Sequence, residues 1–343
     1  MTSPLVSVIV VNHNRADLLR ECLRSLLAQS YPKLEVWIID NGSTDRSAET
    51  VKSFTDKRIR FCPLGKNLGF ARANNFAIRQ ARGQLIALLN NDAMAAPDWI
   101  EKLVSAIRTS PGAGMCASKI LFHDTAIIDK AGHLMYPDGQ NRGRGTGEQD
   151  LGQYDQPEEG FFADGCAALY RKQMLEEVAG FDEDFFAYGE DADLGVRGQW
   201  LGWKCLYVPE AVVFHRHSST SGRFSAQKIY WVERNRFWLA VKNLPLPLLI
   251  LSPLWTLYRW IWNVAAALMG RGAAGQFRRG DSLWSLAAAL LKAYWDGFRL
   301  LGVMLRKRRS IRRSRRISDP EFYRLLLRFR ISARLLAFRD TNF

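Results

Sequence analysis

Val6-Ser7-Val8-Ile9-Val10-Val11-Asn12-His13-Asn14-Arg15 is the stretch on which the architecture turns. Its first six residues are apolar and β-branched apart from Ser7, and the run is too short for a buried helix. Asn12 to Arg15 end it, which predicts a buried strand. Beyond it, Asn14-x-x-Asp17 predicts a capping-box-like helix start, and Leu18, Leu19, Cys22, Leu23, Leu26 and Leu27 recur at spacings of three and four. That is one face of a helix packed on a sheet. Glu35–Asp40, Arg58–Cys62 and Gln84–Leu89 predict three further strands, with helical patterns after Ser43 and after Gly69. Repeated βα units predict an α/β fold with a mostly parallel central sheet covered on both faces.

Open sheets of this kind bind ligands outside the carboxyl ends of their strands. Those ends read Asn12-His13-Asn14, Asp40-Asn41-Gly42-Ser43 and Asn90-Asn91-Asp92, so three strands deliver polar clusters to one edge. The Gly-, Asp- and Gln-rich stretch from about Asp129 to Gly160 predicts a long mobile loop. After Arg234–Lys242 the composition changes abruptly, and a boundary is expected near Asn243.

Charge is divided at that boundary. Of 48 Lys+Arg and 34 Asp+Glu, residues 1–243 hold 29 of each, and residues 244–343 hold 19 basic and 5 acidic side chains, so the net charge of +14 belongs to the last hundred residues. A basic nucleic-acid-binding globule is disfavoured, and the tail needs an anionic partner of its own. The five cysteines are scattered, with no C-x-x-C pair, which argues against a disulfide framework or a zinc site and for a reduced, cytosolic compartment. No basic n-region with a small-residue cleavage site precedes the first strand, so no secretory signal is expected.

The first strand is not followed by G-x-G-x-x-G, and there is no Walker sequence, which removes most of the weight from hydride transfer and ATP hydrolysis. What remains is a site rich in carboxylates and amides, suited to an anionic, nucleotide-like ligand held through a divalent metal. Val8–Asn14, Ile39-Asp40-Asn41-Gly42-Ser43-Thr44-Asp45, Asn67-Leu68-Gly69-Phe70-Ala71 and Leu89-Asn90-Asn91-Asp92-Ala93 together resemble the family 2 glycosyltransferases. Gly180-Phe181-Asp182, Gly189-Glu190-Asp191-Ala192-Asp193-Leu194 and Val213-Phe214-His215 resemble the acceptor half of the bacterial rhamnosyltransferase-like members. The resemblance runs in order over roughly residues 5–243.

It implies a GT-A-type nucleotide-diphospho-sugar transferase fold over 1–243, with a donor half of about 1–95, an acceptor half of about 96–243, and inversion at the anomeric carbon. Val11, His13, Asn14, Asp40, Asn41, Asn67, Gly69, Asn90, Asn91 and Asp92 fall at its donor positions, with His13 where a ring stacks on the base. A carboxylate or amide at Asp40 and Asn41 can accept from a pyrimidine N3–H and from ribose hydroxyls. Asp92 and His215 fall at the metal positions, for Mg2+ or Mn2+; the family's D-x-D reads Asn90-Asn91-Asp92 here, one carboxylate short. His217 is a further candidate beside His215, and Asp45 is expected chiefly to cap the following helix. Inversion needs one general base to take the acceptor's proton. The resemblance gives that role to Asp191. Glu190 and Asp193 beside it are expected to orient the acceptor or to cap the helix Leu194–Leu201, and Trp203, with Trp200, to form an acceptor platform or pack in the core.

In the tail, Leu244–Met269 carries a single charge over 26 residues, the length of a membrane span. Pro245, Pro247 and Pro253 interrupt it, and Ser252, Thr256, Arg259 and Asn263 form one polar stripe. Leu283–Leu305 carries Lys292, Asp296 and Arg299 in a similar stripe, with Trp284, Tyr294 and Trp295 as aromatic anchors. Both predict amphipathic helices lying in a membrane interface. Arg306 to Arg316 places eight cations in eleven residues, which predicts attraction to anionic lipids rather than to RNA. The combined expectation is an inverting, metal-dependent glycosyltransferase at the cytoplasmic membrane face, moving a sugar, with rhamnose suggested by the resembling members, to a glycan or lipid-linked acceptor. The alternatives are a sugar-phosphate nucleotidylyltransferase, whose basic Gly-rich loop is absent, and a non-catalytic nucleotide-sugar-binding scaffold.

Overall fold

The computed structural model describes residues 3–217, 225–280 and 282–339. Four strands, β1 (Val6–Asn12), β2 (Leu34–Asp40), β3 (Ile59–Pro63) and β4 (Leu85–Leu89), pair in parallel in the order β4-β1-β2-β3. Alternation along β1 sends Val6, Val8 and Val10 into one apolar cluster and Ile9 into another, so both sheet faces are buried. Helix α1 (Ala16–Leu27) presents Leu19, Cys22, Leu23 and Leu26 to the first cluster. Its start differs from the expectation: Arg15 is the N-cap in a left-handed conformation, and Asn14 Oδ1 instead accepts from the Thr44 amide at 2.9 Å. The orphan Ala16 amide donates to Asp45, whose other oxygen caps α2 (Ser47–Lys52) at the Ser47 amide. One carboxylate thus serves two helix starts, a long-range solution that a local capping rule does not contain.

Strands β5 (Ala93–Ala95), β6 (Ala113–Phe122), β7 (Ile128–Ala131), β8 (His133–Met135), β9 (Asn141–Gly143), β10 (Glu158–Gly160), β11 (Ala167–Arg171) and β12 (Lys204–His215) complete the β structure. All but the β8–β9 hairpin extend the main sheet to ten strands, in the order β10-β12-β6-β11-β4-β1-β2-β3, with β5 on β12 and β7 on β6. Strand β11 runs antiparallel between β4 and β6, whereas β12 runs parallel to β6. The 129–160 stretch is therefore not a mobile loop. Strands β7, β8, β9 and β10 occupy it, and Asp129, His133, Asp138 and Thr146 within it are buried, because its turns fold over the sheet edge.

The helices that follow the first two are α3 (Phe70–Gln80), α4 (Trp99–Thr109), α5 (Lys172–Glu177), α6 (Glu190–Trp200) and α7 (Ala226–Asn243). Gly69 is the N-cap of α3 at φ +82°, and a Cβ there would stand 2.6 Å from the Phe186 carbonyl oxygen and ring. Gly69→Ala is expected to cost roughly 1–3 kcal/mol from the backbone conformation alone, checked by thermal unfolding.

The last hundred residues form α8 (Leu246–Leu268), α9 (Gly272–Gly280), α10 (Leu283–Arg299), α11 (Leu301–Ser314), α12 (Asp319–Arg328) and α13 (Ala333–Phe338). No helix among the described residues is long and apolar enough to cross a membrane. These helices share the larger apolar cluster of the sheet through Met304, Phe322, Leu326 and Phe329, with Phe322 stacked on Trp200 at 4.0 Å. The polar stripe of α8 points inward. Arg259, 3% exposed, donates to Asp138 at 2.8 Å and to Glu233 at 2.9 Å, and Thr256 donates to Asp138 at 3.1 Å. Outward lies an apolar stripe: Leu246, Ile250, Leu254, Leu257, Ile261, Val264 and Leu268 are all exposed. Arg259→Ala leaves two buried carboxylates short of a partner and is expected to cost about 3–5 kcal/mol, read from denaturant midpoints.

Candidate active site

A cavity of about 710 Å³ opens at the carboxyl edge of the parallel strands. On one side it is lined by Val11 and His13 after β1, Asn41 after β2, and Asn90, Asn91 and Asp92 after β4. Parallel strands end at one edge, so residues far apart in sequence converge there. Asn41 orders the next part of the wall: its Oδ1 accepts from the Leu68 amide at 2.8 Å and its Nδ2 donates to Asn67 Oδ1 at 3.0 Å, while Asn67 accepts from Gly69. Asn91 is held by Asn12 Oδ1 at 2.7 Å. Asp40 lies buried at the end of β2, and its Oδ1 has no hydrogen-bond partner among the described residues. A buried acceptor left open in this way is costly unless a ligand completes it.

β12 pairs with β5, and that pairing sets His215 beside Ala93, directly after Asp92. Asp92 Oδ1 and His215 Nε2 are 3.2 Å apart, and Asp129 Oδ2 faces His215 Nδ1 at 3.0 Å and His217 Nε2 at 2.8 Å. Burial works against the imidazolium of His215, but Cys166, Asp129 and Asp92 outweigh it and hold the ring well above its ordinary range. A divalent cation of the Mn2+ or Mg2+ kind fits in place of the proton on His215 Nε2, with the Asp92 oxygen as a second ligand atom and Asp129 orienting the ring. The donor set fits the metal that the resemblance implies.

Across the cavity stands Asp191, in the first turn of α6. Its Oδ2 accepts from the Gly165 amide at 3.1 Å and its Oδ1 from the Ala192 amide at 2.7 Å. Burial and then the nearby Asp164 carboxylate push Asp191 above the usual carboxylate range, which suits a proton acceptor. Glu190 is buried beside it with Oε2 unpartnered among the described residues, and burial followed by Asp191 pushes it well up. The turn before α6 is strained, with Phe186 and Tyr188 at positive φ. Asn235 of α7 holds it by donating to the carbonyls of Phe185, Ala187 and Tyr188 at 2.9, 2.8 and 2.6 Å. Phe186 and Tyr188, each ring-paired with Trp231 of α7, wall the cavity mouth.

Residues 7–179 match the family model described as Glycosyl transferase family 2, half of the chain. The chain belongs to glycosyltransferase family 2. Over 256 residues it is 29% identical to the O-antigen biosynthesis protein RfbC of Myxococcus xanthus, covering 71% of this chain but only 20% of that protein. Over 252 residues it is 27% identical to the N-acetylglucosaminyl-diphospho-decaprenol L-rhamnosyltransferase of Mycobacterium tuberculosis (strain ATCC 25618 / H37Rv), covering 66% of this chain and 80% of that one. Among solved structures, a mannosyltransferase from Pyrobaculum calidifontis in complex with GDP-Man and Mn2+ superposes with a TM-score of 0.54 at 20% identity, covering 87% of this chain and 88% of that chain. At that identity the likeness establishes the GT-A-like fold.

The matched family 2 segment ends before Asp191 and His215, which reach the cavity only through α6 and β12. Four residues expected at the site do not line the cavity: Asp193, Trp203, Asn14 and Asp40, the last buried at the end of β2 behind the wall. Asp193 points to the other side of α6, fully buried between Arg197 at 2.8 Å and Lys242 at 2.7 Å, with Asn243 donating to it at 2.9 Å. Trp203 precedes the start of β12, at the end of that strand remote from His215, and donates to Glu177 at 3.0 Å. Both expectations on the acceptor side are corrected, because helix phase and strand direction turn these side chains away. Asn14 is engaged with Thr44 and Ser43 beside the cavity. Conversely, Asp129, Lys130, His133 and Asp164 line or back the family 2 cavity without having been foreseen. Only the polar Asp164-Gly165 step after the buried Phe161-Phe162 pair carried a local signal, since a carboxylate in the apolar turn leading into β11 needs a partner.

Proposed function

We propose that this protein is an inverting glycosyltransferase that moves a sugar from a nucleoside-diphosphate donor to a hydroxyl of a glycan or lipid-linked acceptor at a membrane surface. The observation that carries the reading is the single cavity with Asp92 and His215 on one wall and Asp191 on the opposite one. The donor's base lies against His13 toward the end of β2, where Asp40 sits, and Asn90 and Asn91 take ribose hydroxyls. Asp92 and His215 hold a divalent metal, which when bound stabilises negative charge on the leaving diphosphate. As the acceptor oxygen bonds to the anomeric carbon, the bond from that carbon to the diphosphate breaks and the electron pair leaves with the nucleotide. Asp191 takes the acceptor's proton. Similarity to the mycobacterial N-acetylglucosaminyl-diphospho-decaprenol L-rhamnosyltransferase supports a rhamnosyl donor and a polyprenyl-linked acceptor for this chain.

A panel of nucleotide sugars, titrated with and without Mn2+, tests the reading, with tight binding of one sugar nucleotide as the expected result. Asp92→Ala is expected to remove the metal-dependent part of that binding. Undiminished transfer by the wild-type chain in excess chelator would rule the metal role out.

The membrane part of the reading rests on α8 and α10. The outward stripe of α8 is continuous and apolar, and Trp284 and Trp295 of α10 are 86% and 73% exposed. A continuous exposed apolar stripe on a charged protein marks a contact surface. The basic run contributes less than its composition implies, because Lys307 pairs with Asp182 and Asp184, Arg308 and Arg312 bind the Leu244 carbonyl, Arg315 pairs with Asp319 and Arg316 with Glu177. Arg306, Arg309 and Arg313 are exposed on one face of α11 and remain for lipid phosphates.

A further inference from the structure

Asp191 shares its surroundings with a second carboxylate. Ligand atoms of His133, Asp164 and Asp191 lie within 4.8 Å of one another. Two carboxylates this close do not hold their protons independently, and their partners decide which one stays ionised. The partners are unequal. Asp164 Oδ2 lies 2.9 Å from the Lys130 ammonium and 2.8 Å from His133 Nε2, and its Oδ1 accepts from the Cys166 amide at 2.7 Å. Among the described residues, Asp191 accepts hydrogen bonds only from the Gly165 and Ala192 amides. His133 is fixed in turn by stacking on Phe162, with ring centroids 4.4 Å apart and an interplanar angle of 19°. The backbone ties the pair together as well. The same Asp164 turn that captures the Cys166 amide aims the intervening Gly165 amide at Asp191.

We propose that Asp164, clamped as a permanent anion by Lys130 and His133, is the positioning residue that makes Asp191 the carboxylate that receives the acceptor's proton. This rests on the transferase reading above. Asp164 touches no reacting atom; it acts through its charge and through the Gly165 amide. The other titratable groups facing Asp191 are Glu190 on α6 and Tyr170 on β11, and burial favours the neutral form of each. Burial, then Asp191, pushes Glu190 well up, and the same two influences raise Tyr170. Against burial, Lys130 and His133 hold Asp164 below the usual carboxylate range, in line with the geometry.

The sign of each perturbation follows. Asp164→Asn keeps an acceptor for the Cys166 amide but removes an anion beside Asp191, so Asp191 ionises more readily and the acid limb of kcat moves to lower pH. His133→Phe keeps the stack on Phe162 but removes a partner of Asp164; the two carboxyls then compete for one proton, and the limb moves to higher pH. His133→Gln, which can still donate to Asp164, lies nearer wild type. Donor KM stays unchanged in all three.

The direct readout is the carboxyl ¹³C titration of aspartate-labelled full-length protein, with the two signals assigned by their loss in Asp191→Asn and Asp164→Asn. In the wild type Asp164 is expected to titrate at lower pH than Asp191, and shifts of opposite sign are expected in Asp164→Asn and His133→Phe. Asp164 titrating above Asp191 in the wild type, or an Asp191 signal unmoved in Asp164→Asn, overturns the proposal. The wild-type order decides the question even where a variant does not fold. Absence of sugar transfer to any acceptor would count against the transferase reading alone, because the titration still ranks the two carboxyls.

Discussion

Asp191→Asn is expected to lower turnover by two or more orders of magnitude while leaving donor affinity close to wild type. The amide is nearly isosteric and retains an oxygen for the Gly165 amide, which donates to Asp191 at 3.1 Å, and the loss is confined to the contact with the Ala192 amide. It cannot take a proton at neutral pH. General-base catalysis contributes roughly 10²–10⁴-fold, and that is the term removed. Because the donor wall of His13, Asn41 and Asp92 lies across the cavity, ground-state binding of the nucleotide sugar is untouched. A fall in kcat without a rise in donor KM is therefore the signature, measured by initial rates and by direct donor titration. Near-normal turnover would remove Asp191 from the base role.

The second large effect is on membrane binding. Ile250, Leu254 and Ile261 are 67%, 64% and 58% exposed on the outward stripe of α8 and support no core packing. Their triple replacement by glutamine should leave the fold intact and abolish binding to anionic vesicles. Fully burying one such side chain is worth ~1.5–3 kcal/mol, so even half-burial of three amounts to roughly 2–4 kcal/mol. That corresponds to a loss of ~30-fold to ~1000-fold in partitioning. Replacing Arg306, Arg309 and Arg313 by glutamine should cost less, on the order of 1 kcal/mol each, and only at low salt. Sedimentation with vesicles at two salt concentrations separates the terms, and full retention of the α8 triple variant would sink the anchor reading. Ending the chain at Asn243 is a poorer test than it looks from sequence. Such a cut strips Phe322 from Trp200 and leaves Asp138 and Glu233 without Arg259, so loss of binding would be confounded with loss of fold.

Local order in the chain settled the parallel half of the sheet and the residues at its edge. Short β-branched runs followed by amphipathic helices admit few alternatives, and β1, β2, β3 and β4 lie within a residue or two of where periodicity puts them. The polar clusters after those strands were legible for the same reason: parallel strands must end together. The sequence also contained the polar stripe of α8, but not which way it faces. That direction depends on Asp138 and Glu233, more than a hundred and some twenty-six residues away, which turn Arg259 inward and leave the apolar stripe outside. The basic run misled for a related reason, since charge composition counts cations whether or not a carboxylate elsewhere in the chain neutralises them. Asp193 and Asp191 look equivalent in sequence, but two residues along a helix are about 200° apart, so one faces the cavity and the other the core. Tertiary structure alone assembled Asp129 with His215 and Lys130 and His133 with Asp164. These pairs join segments separated by up to 86 residues through a stretch with no periodicity, where pairing geometry, rather than local propensity, fixes position.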